Sequence, residues 1–243
     1  IEPRIVAELG LFAAKTFLIV LAVVIFAAVY LNYNSPHGGR EAASPEQQYE
    51  QAAGQADALG EQMQQQALVL LKNENNILPL DKRQIKKVLV TGPLADEDNF
   101  MTSRYGPNGL ETVTVLAGLR NYLKGIAEVD YAKGCDIVDA GWPATEILPA
   151  PMSEQEKQGI AEAVAKAGES DVIIAVLGED EYRTGESRSR TSLDLPGRQQ
   201  QLLEALHATG KPVILVLING QPLTVNWANA YIPAILESWF PGC

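Results

Sequence analysis

The chain has 243 residues, of which 47% are hydrophobic and 20% are charged, a balance typical of a globular protein with room for one full domain. Its formal net charge of −11 argues against a nucleic-acid partner, because an acidic surface repels phosphate backbones. The two cysteines, Cys135 and Cys243, lie far apart in the sequence and indicate neither a zinc site nor a disulfide framework.

An uncharged apolar run, FLIVLAVVIFAAVYL, occupies residues 17–31 near the amino end. With the apolar residues 10–14 before it, the run approaches the ~20 residues that a bilayer span requires, and Lys15 can snorkel toward the interface. Arg4 and Lys15 precede the run, which favours a cytoplasmic amino end and an exported body. We therefore predict that residues 1–43 form a hydrophobic membrane helix and a linker. The alternative is a buried core helix.

A second helix is predicted to begin at Ser44, because Ser44 can cap it, Pro45 suits its first turn and Gln47 can reach back to the cap. Residues 47–66 are rich in Gln and Ala, which are good helix formers, and they predict an exposed helix. Low-complexity disorder is the alternative for this stretch. We assign residues 44–86 as a helical lead-in to the main domain.

From residue 87 onward, apolar runs alternate with helical patterns. The runs predict strands at residues 88–91, 127–131, 172–177, 213–218 and 234–239, and the patterns predict helices at residues 113–123, 153–167, 198–208 and near 223–228. This alternation predicts an α/β fold with a mainly parallel sheet, helices on both faces and residues 172–177 as its central strand. We assign the domain to residues 87–243 and expect it to be truncated at its carboxyl end, because the chain stops directly after an apolar strand.

The loops that leave the first three predicted strands are long, at residues 92–112, 132–152 and 178–197, whereas the helix-to-strand connections are short. Ligands of open α/β sheets bind beyond the carboxyl ends of the strands. Long loops in a compact domain are usually functional. The sequence therefore predicts a functional site at this edge of the sheet.

The loop after the central strand reads GEDEYRTGESRSRTSLDLPG and is dense in carboxylates and arginines. A carboxylate held among arginines and loop amides can carry out acid–base chemistry. On composition alone, a solvated charged loop is the simpler interpretation. Other chemistries fit less well, since the sequence contains no G-x-G-x-x-G, Walker lysine, G-x-S-x-G or H-E-x-x-H pattern.

Several short stretches then occur in a fixed order: ALVLLKNENNILPL at 67–80, SRYGP at 103–107, TVL at 114–116, GESRSRTSLDLP at 185–196, GKPV at 210–213, NGQPL at 219–223 and AILESWFPG at 234–242. Together they resemble the second domain of family 3 glycoside hydrolases, the β-glucosidase and β-xylosidase type. The resemblance runs from residue 67 to the end of the chain. It is specific because every stretch stands in the family's order.

The resemblance implies a retaining β-glycosidase that acts on β-linked glucosides or related oligosaccharides without a cofactor or a metal. A TIM-type barrel, which these 243 residues do not include, would be the partner domain and would supply an aspartate nucleophile. This domain would supply the general acid/base from a loop over the barrel mouth, which the motif assigns to Glu186. Glu181 and Glu179 are the alternates, because the loop varies in length across the family. Arg183 and Arg190 are the candidate substrate-binding residues.

Two other interpretations stay open at this point. One is a non-catalytic carbohydrate-binding module, and the other is a membrane-anchored scaffold whose α/β domain binds a partner. A flanking barrel with an aspartate at a strand end would favour the enzyme. For the location, we expect a membrane-anchored protein with the glycosidase domain exported to the periplasm or the outside of the cell, and we expect the 243-residue chain alone to be inactive.

Overall fold

The computed structural model describes residues 44–98, 105–106, 112–138 and 151–241. Contacts divide the chain into two units, Ile1–Gly54 and Gln55–Cys243, and the second unit carries all the described strands. The apolar run at residues 17–31, which we predicted to be a membrane helix, lies outside the described residues. Among the helices that the structure does describe, none combines the length and the apolar character needed to cross a bilayer.

The predicted lead-in helix is present as α1, Pro45–Ala67, but it is followed at once by a strand that the sequence analysis did not predict. This strand, β1, spans Val69–Asn73 and lies inside the region assigned to the lead-in, so the sheet begins before residue 87. Its apolar residues 69–71 are each 41–50% exposed, so they lack the two-sided burial of the inner strands. A short apolar run beside a helix cannot be identified as strand or helix from periodicity alone, which explains the omission.

Six strands form one sheet in the order β1-β6-β5-β4-β2-β3. The remaining five are β2 (Lys87–Thr91), β3 (Glu128–Ala132), β4 (Val172–Gly178), β5 (Val213–Ile218) and β6 (Ala234–Glu237). Four neighbouring pairs in this sheet are parallel, and β1 pairs with β6 in the antiparallel direction. The mainly parallel sheet is confirmed with β4 as an inner strand, whereas the antiparallel edge was not predicted.

Helices cover both faces of the sheet, as the apolar strands predicted. They are α2 (Val115–Tyr122), α3 (Glu154–Gly168), α4 (Gln199–His207) and α5 (Asn226–Tyr231). Because side chains alternate along a strand, Ile173 and Leu177 of β4 enter a core shared with α3, α4 and α5, while Ile174 and Val176 enter a second core with α2. Burial on both faces leaves the strand ends, and the loops beyond them, as the accessible parts of the sheet.

Candidate functional site

The candidate site lies where the carboxyl ends of β4, β5 and β6 meet. These three strands are parallel neighbours, so the loops that leave them emerge at one edge of the sheet. The loop at residues 178–197 leaves β4 and is described throughout. Parts of the other two long loops, residues 99–104, 107–111 and 139–150, lie outside the described residues. The edge predicted from loop lengths is therefore the edge where the acidic loop lies.

Glu179 is the first loop residue after β4, and its side chain is fully buried. Its backbone amide donates to the carbonyl of Ile218 on β5 at 2.8 Å, which fixes it to the sheet. Its carboxylate forms an ion pair with Arg190, eleven residues later, whose side chain is only 8% exposed. Burial lowers the pKa of the Arg190 guanidinium, and the Asp194 carboxylate opposes that shift. The loop thus closes on itself through a pair of buried charges.

A second ion pair, between Asp180 and Arg183, lies at the start of the same loop and is also largely buried. The Asp180 carboxylate accepts a hydrogen bond from the backbone amide of Tyr182 at 3.1 Å. The Arg183 carbonyl accepts a hydrogen bond from Gln221 Nε2 at 2.9 Å, which ties this part of the loop to the loop after β5. This first limb of the loop, residues 179–183, is therefore fixed at several points.

Asp194 holds the second limb of the loop, residues 190–195, in place. Its carboxylate accepts hydrogen bonds from the hydroxyls of Thr224 and Ser192, the second at 2.7 Å. The Thr224 amide donates to the carbonyl of Leu193 at 2.8 Å, so the limb is joined to the segment before α5. The hydrogen bond from Thr224, followed by that from Ser192, holds the pKa of Asp194 below its ordinary value.

Glu186 lies at the exposed tip of the loop, between these two limbs. Its backbone amide donates to the hydroxyl of Tyr105 at 3.0 Å. Gly185 and Ser187, its two neighbours, have left-handed backbone angles with φ of 103° and 61°. Glycine tolerates that region freely, whereas a residue with a side chain occupies it only when its surroundings require it. The Glu186 carboxylate is therefore presented outward on a sharply turned segment.

The structure separates the residues that the sequence analysis grouped together. Glu186 is exposed and Glu181 is partly buried, while Glu179 is engaged with Arg190 in the interior. The guanidinium groups of Arg183 and Arg190 both bind carboxylates of their own loop, and their side chains are 13% and 8% exposed. A contact of either arginine with substrate stays a prediction.

Two buried polar residues at this edge were missed by the sequence analysis, Asn219 and Glu237. Asn219 directly follows β5, is fully buried, and donates from Nδ2 to the carbonyl of Gln221 at 2.8 Å. Glu237 ends β6, and its Oε1 accepts the backbone amide of Trp239 at 2.9 Å. Burial raises the pKa of Glu237, and hydrogen bonds from Trp239 and Asn219 oppose that rise. Their positions at strand ends were the available signal.

The raised pKa of Glu237 predicts a pH dependence of stability. Folded Glu237 holds its proton more tightly than the unfolded residue, whose pKa is 4.5, so stability falls as the pH rises from 4.5 through the folded value. Glu237→Gln removes this charge and keeps an acceptor for Trp239. In urea unfolding, the free energy of unfolding of the variant should rise relative to that of the wild type over that pH window. Above the window, the difference between the two should be constant. Glu50→Gln, at an exposed glutamate, is the control, and parallel pH curves for Glu237→Gln would contradict the prediction.

The chemistry available at this edge is that of carboxylates. Across the described ranges, no cluster of three or more His, Cys, Asp and Glu side chains could hold a metal ion. The loop instead offers one exposed carboxylate at its tip, carried on two limbs that are fixed by buried charges. Such an arrangement can give a proton to a group bound on an opposing surface and take one back.

Comparison with known proteins identifies relatives of this chain. The family model described as the glycosyl hydrolase family 3 C-terminal domain matches residues 68–243. A β-xylosidase from Formosa agariphila is 40% identical over 187 residues, covering 74% of this chain, and a periplasmic β-glucosidase from Salmonella typhimurium is 39% identical over 186 residues, covering 73%. Each match covers 24% of the relative, so the chain spans about a quarter of the length of these proteins.

Solved structures agree with the sequence relatives. A β-glucosidase from Erythrobacter marinus is 38% identical with a TM-score of 0.63, and the match covers 74% of this chain and 26% of that one. A family 3 β-glucosidase from Bifidobacterium adolescentis is 29% identical with a TM-score of 0.62, covering 76% of this chain and 25% of that one. The solved structures therefore match about the same share of the chain as the sequence relatives do.

Proposed function

The chain belongs to glycosyl hydrolase family 3, and we propose that it is the domain that supplies the general acid/base of a retaining β-glycosidase. One observation carries the proposal. Glu186, within the stretch GESRSRTSLDLP, is an exposed carboxylate at the tip of the loop that leaves the inner strand β4. A group in that position can reach a substrate held by a second domain, which an interior carboxylate cannot do.

The alternates fit this role less well. Glu179 is buried and its carboxylate is committed to Arg190, so releasing a proton to a substrate would require the ion pair to separate. Glu181 is partly buried and lies next to the Asp180–Arg183 pair, in the limb of the loop that is fixed to Gln221. Along the chain, both glutamates lie closer to the end of β4 than the exposed tip does. Glu186 is therefore our assignment.

In the first step of the proposed reaction, the carboxylate of an aspartate on the partner barrel attacks the anomeric carbon and forms a covalent bond to it. The bond from that carbon to the glycosidic oxygen breaks, and Glu186 transfers its proton to the departing oxygen. In the second step, Glu186 takes a proton from water as the water attacks the anomeric carbon and the aspartate leaves. Two inversions give overall retention, which requires the two carboxyl groups to be about 5–5.5 Å apart.

For the substrate class, we propose β-linked glucosides or xylosides. Support comes from the names of the relatives, which include a β-xylosidase and a periplasmic β-glucosidase. The mechanism needs two carboxyl groups and water and no cofactor.

The test is the stereochemistry of hydrolysis by the full-length enzyme. Proton NMR of the products from an aryl β-glucoside should show the β-anomer first, with the α-anomer appearing later by mutarotation. An α-anomer as the first product would contradict the retaining mechanism. The purified 243-residue chain should not turn over the same substrate, because it provides one carboxyl group of the pair. Turnover by the chain alone would contradict the division of roles between two domains.

We also propose that the domain acts outside the cytoplasm, attached to the membrane by the segment at residues 17–31. Support comes from the apolar character of that run and from the periplasmic β-glucosidase among the relatives. A reporter that is active only after export, fused behind residue 43, should be active and should sediment with membranes. An inactive reporter would contradict the proposed location.

A further inference from the structure

The loop that carries Glu186 is divided by its contacts into two fixed limbs and an exposed tip. The first limb, residues 179–183, is held by the Asp180–Arg183 pair and by Gln221. The second limb, residues 190–195, is held by Arg190 and by the hydrogen bonds to Asp194. The tip at residues 185–189 is exposed throughout. Apart from the hydrogen bond from the Glu186 amide to the Tyr105 hydroxyl, the place of the tip therefore depends on where the two limbs are held relative to each other.

Within the tip, the backbone gives Glu186 little freedom of its own. Gly185 and Ser187 both adopt left-handed angles, and the amide of Arg188 donates to the carbonyl of Gly185 at 3.2 Å across the turn. The two left-handed residues and this hydrogen bond define the shape of the turn between the limbs. The orientation of Glu186 thus depends on the limbs at the base of the loop, together with the hydrogen bond to Tyr105.

At that base, the Glu179–Arg190 pair joins the two limbs. Glu179 is anchored to the sheet through its amide, and Arg190 uses Nη1 for the Glu179 carboxylate and Nη2 for the carbonyl of Asp194. The planar guanidinium holds its donors in a rigid fork, so one side chain fixes the distance and the angle between the limbs. A lysine would offer a point charge without that fork.

We propose that Arg190 and Glu179 are positioning residues, which hold Glu186 in the orientation needed for proton transfer. The inference rests on the proposed acid/base function of Glu186 and deepens it. It differs from a substrate-binding role for Arg190, because a side chain that is 8% exposed and bound to two partners in its own loop has little surface to offer a sugar. The two roles make opposite predictions for kcat and KM.

The main test uses the double variant Glu179→Gln/Arg190→Met in the full-length enzyme. Changing both residues avoids leaving one buried charge without its partner, which is the costly outcome of a single change. We expect kcat for a β-glucoside with a poor leaving group to fall about 10²-fold, as small misplacements of a catalytic group do, while KM stays near the wild-type value. An activated aryl glucoside should be less affected at the glycosylation step, and azide should accelerate its turnover.

These readouts separate positioning from a general structural role. A variant that merely unfolds in part would lose activity equally on all substrates and would gain nothing from azide. Arg190→Lys keeps the charge and loses the fork, so its loss in kcat should lie between the wild type and the double variant. A rise in KM with unchanged kcat, or an equal loss on all substrates without azide rescue, would overturn the proposal.

A second measurement, hydrogen exchange, tests the clamp formed by the Glu179–Arg190 pair between the two limbs, without relying on catalysis. In the 243-residue chain, the amides of residues 183–194 should exchange faster in the double variant than in the wild type. The exchange rates of the β4 amides should be unchanged. Arg188→Met, which removes an exposed arginine from the same loop, is the matched control and should leave the amides of both limbs, residues 179–183 and 190–195, unchanged. Unchanged exchange in the loop of the double variant would overturn the clamp. If Glu186→Gln lacks leaving-group dependence while the exchange result holds, the acid/base assignment fails and the clamp stands.

Discussion

Replacing Glu186 by Gln in the full-length enzyme is expected to lower turnover of glycosides with poor leaving groups by about 10²–10⁴-fold, the usual contribution of general acid–base catalysis. The reason is that a basic alkoxide departs readily only when it receives a proton as its bond breaks. Glutamine has the shape of glutamic acid but carries no acidic proton. An activated aryl leaving group needs little help, so its glycosylation step should slow much less. The measurement is kcat/KM across a series of leaving groups.

The same substitution should slow deglycosylation, because Glu186 also acts as base for the incoming water. Azide is a nucleophile that needs no base, so it should restore turnover of the activated substrate and give a glycosyl azide of retained configuration. The Glu181→Gln variant is the matched control within the loop, and we expect a much smaller loss and no azide effect. If Glu181→Gln shows both signatures while Glu186→Gln shows neither, Glu181 takes the acid/base role.

Gly178→Ala is expected to destabilise the fold by about 3 kcal/mol or more, from backbone strain and overpacking together. Gly178 is the last residue of β4, has a φ of 145°, and would press a Cβ atom against the carbonyl of Ile218 on β5. It is also held by Gln199, which accepts from its amide at 2.7 Å and donates to its carbonyl at 2.9 Å. Neither strand can yield, because both are buried in the sheet.

Urea unfolding of the 243-residue chain measures this effect. Gly168→Ala is the control, since a Cβ at Gly168, in α3, would meet no atom within 4 Å, and its stability should be equal to or slightly above that of the wild type. A loss for Gly178→Ala no greater than that for the control would show that β4 and β5 are not packed as described. Because Glu179 follows Gly178 directly, the packing at this point also determines how the acidic loop leaves the sheet.

Part of this structure could be predicted because it depends on local patterns. β5 was predicted at its observed boundaries, and β2, β3 and β4 within one residue. For β2, β4 and β5 the reason is that an apolar run covered on both faces is recognisable in the sequence. The edge of the sheet that carries the site followed from the lengths of the loops. In contrast, β1 was missed and β6 ends two residues earlier than predicted, because edge pairing and the turn at Trp239 are not encoded in a local period.

The roles of the charged loop residues show more clearly what could not be predicted from the sequence. The loop sequence is equally rich in charge from Glu179 to Arg190, and no periodicity distinguishes one carboxylate from another. The order of motifs selected Glu186 by resemblance. In the structure, burial distinguishes the exposed Glu186 from the buried Glu179. The first residue after an inner strand is enclosed by the neighbouring strands, whereas the middle of a long loop is not.

The sequence by itself determined the fold class, the direction of most strands, the family and the edge of the sheet where the site lies. These properties follow from hydrophobic periodicity and motif order, which are carried by neighbouring residues. The tertiary structure alone decided that Arg190 pairs with Glu179, that Arg183 pairs with Asp180, and that the strand ends bring in Asn219 and Glu237. Such pairings depend on which loops the sheet order brings together and on how far each charge is removed from water, and neither is a local property of the chain.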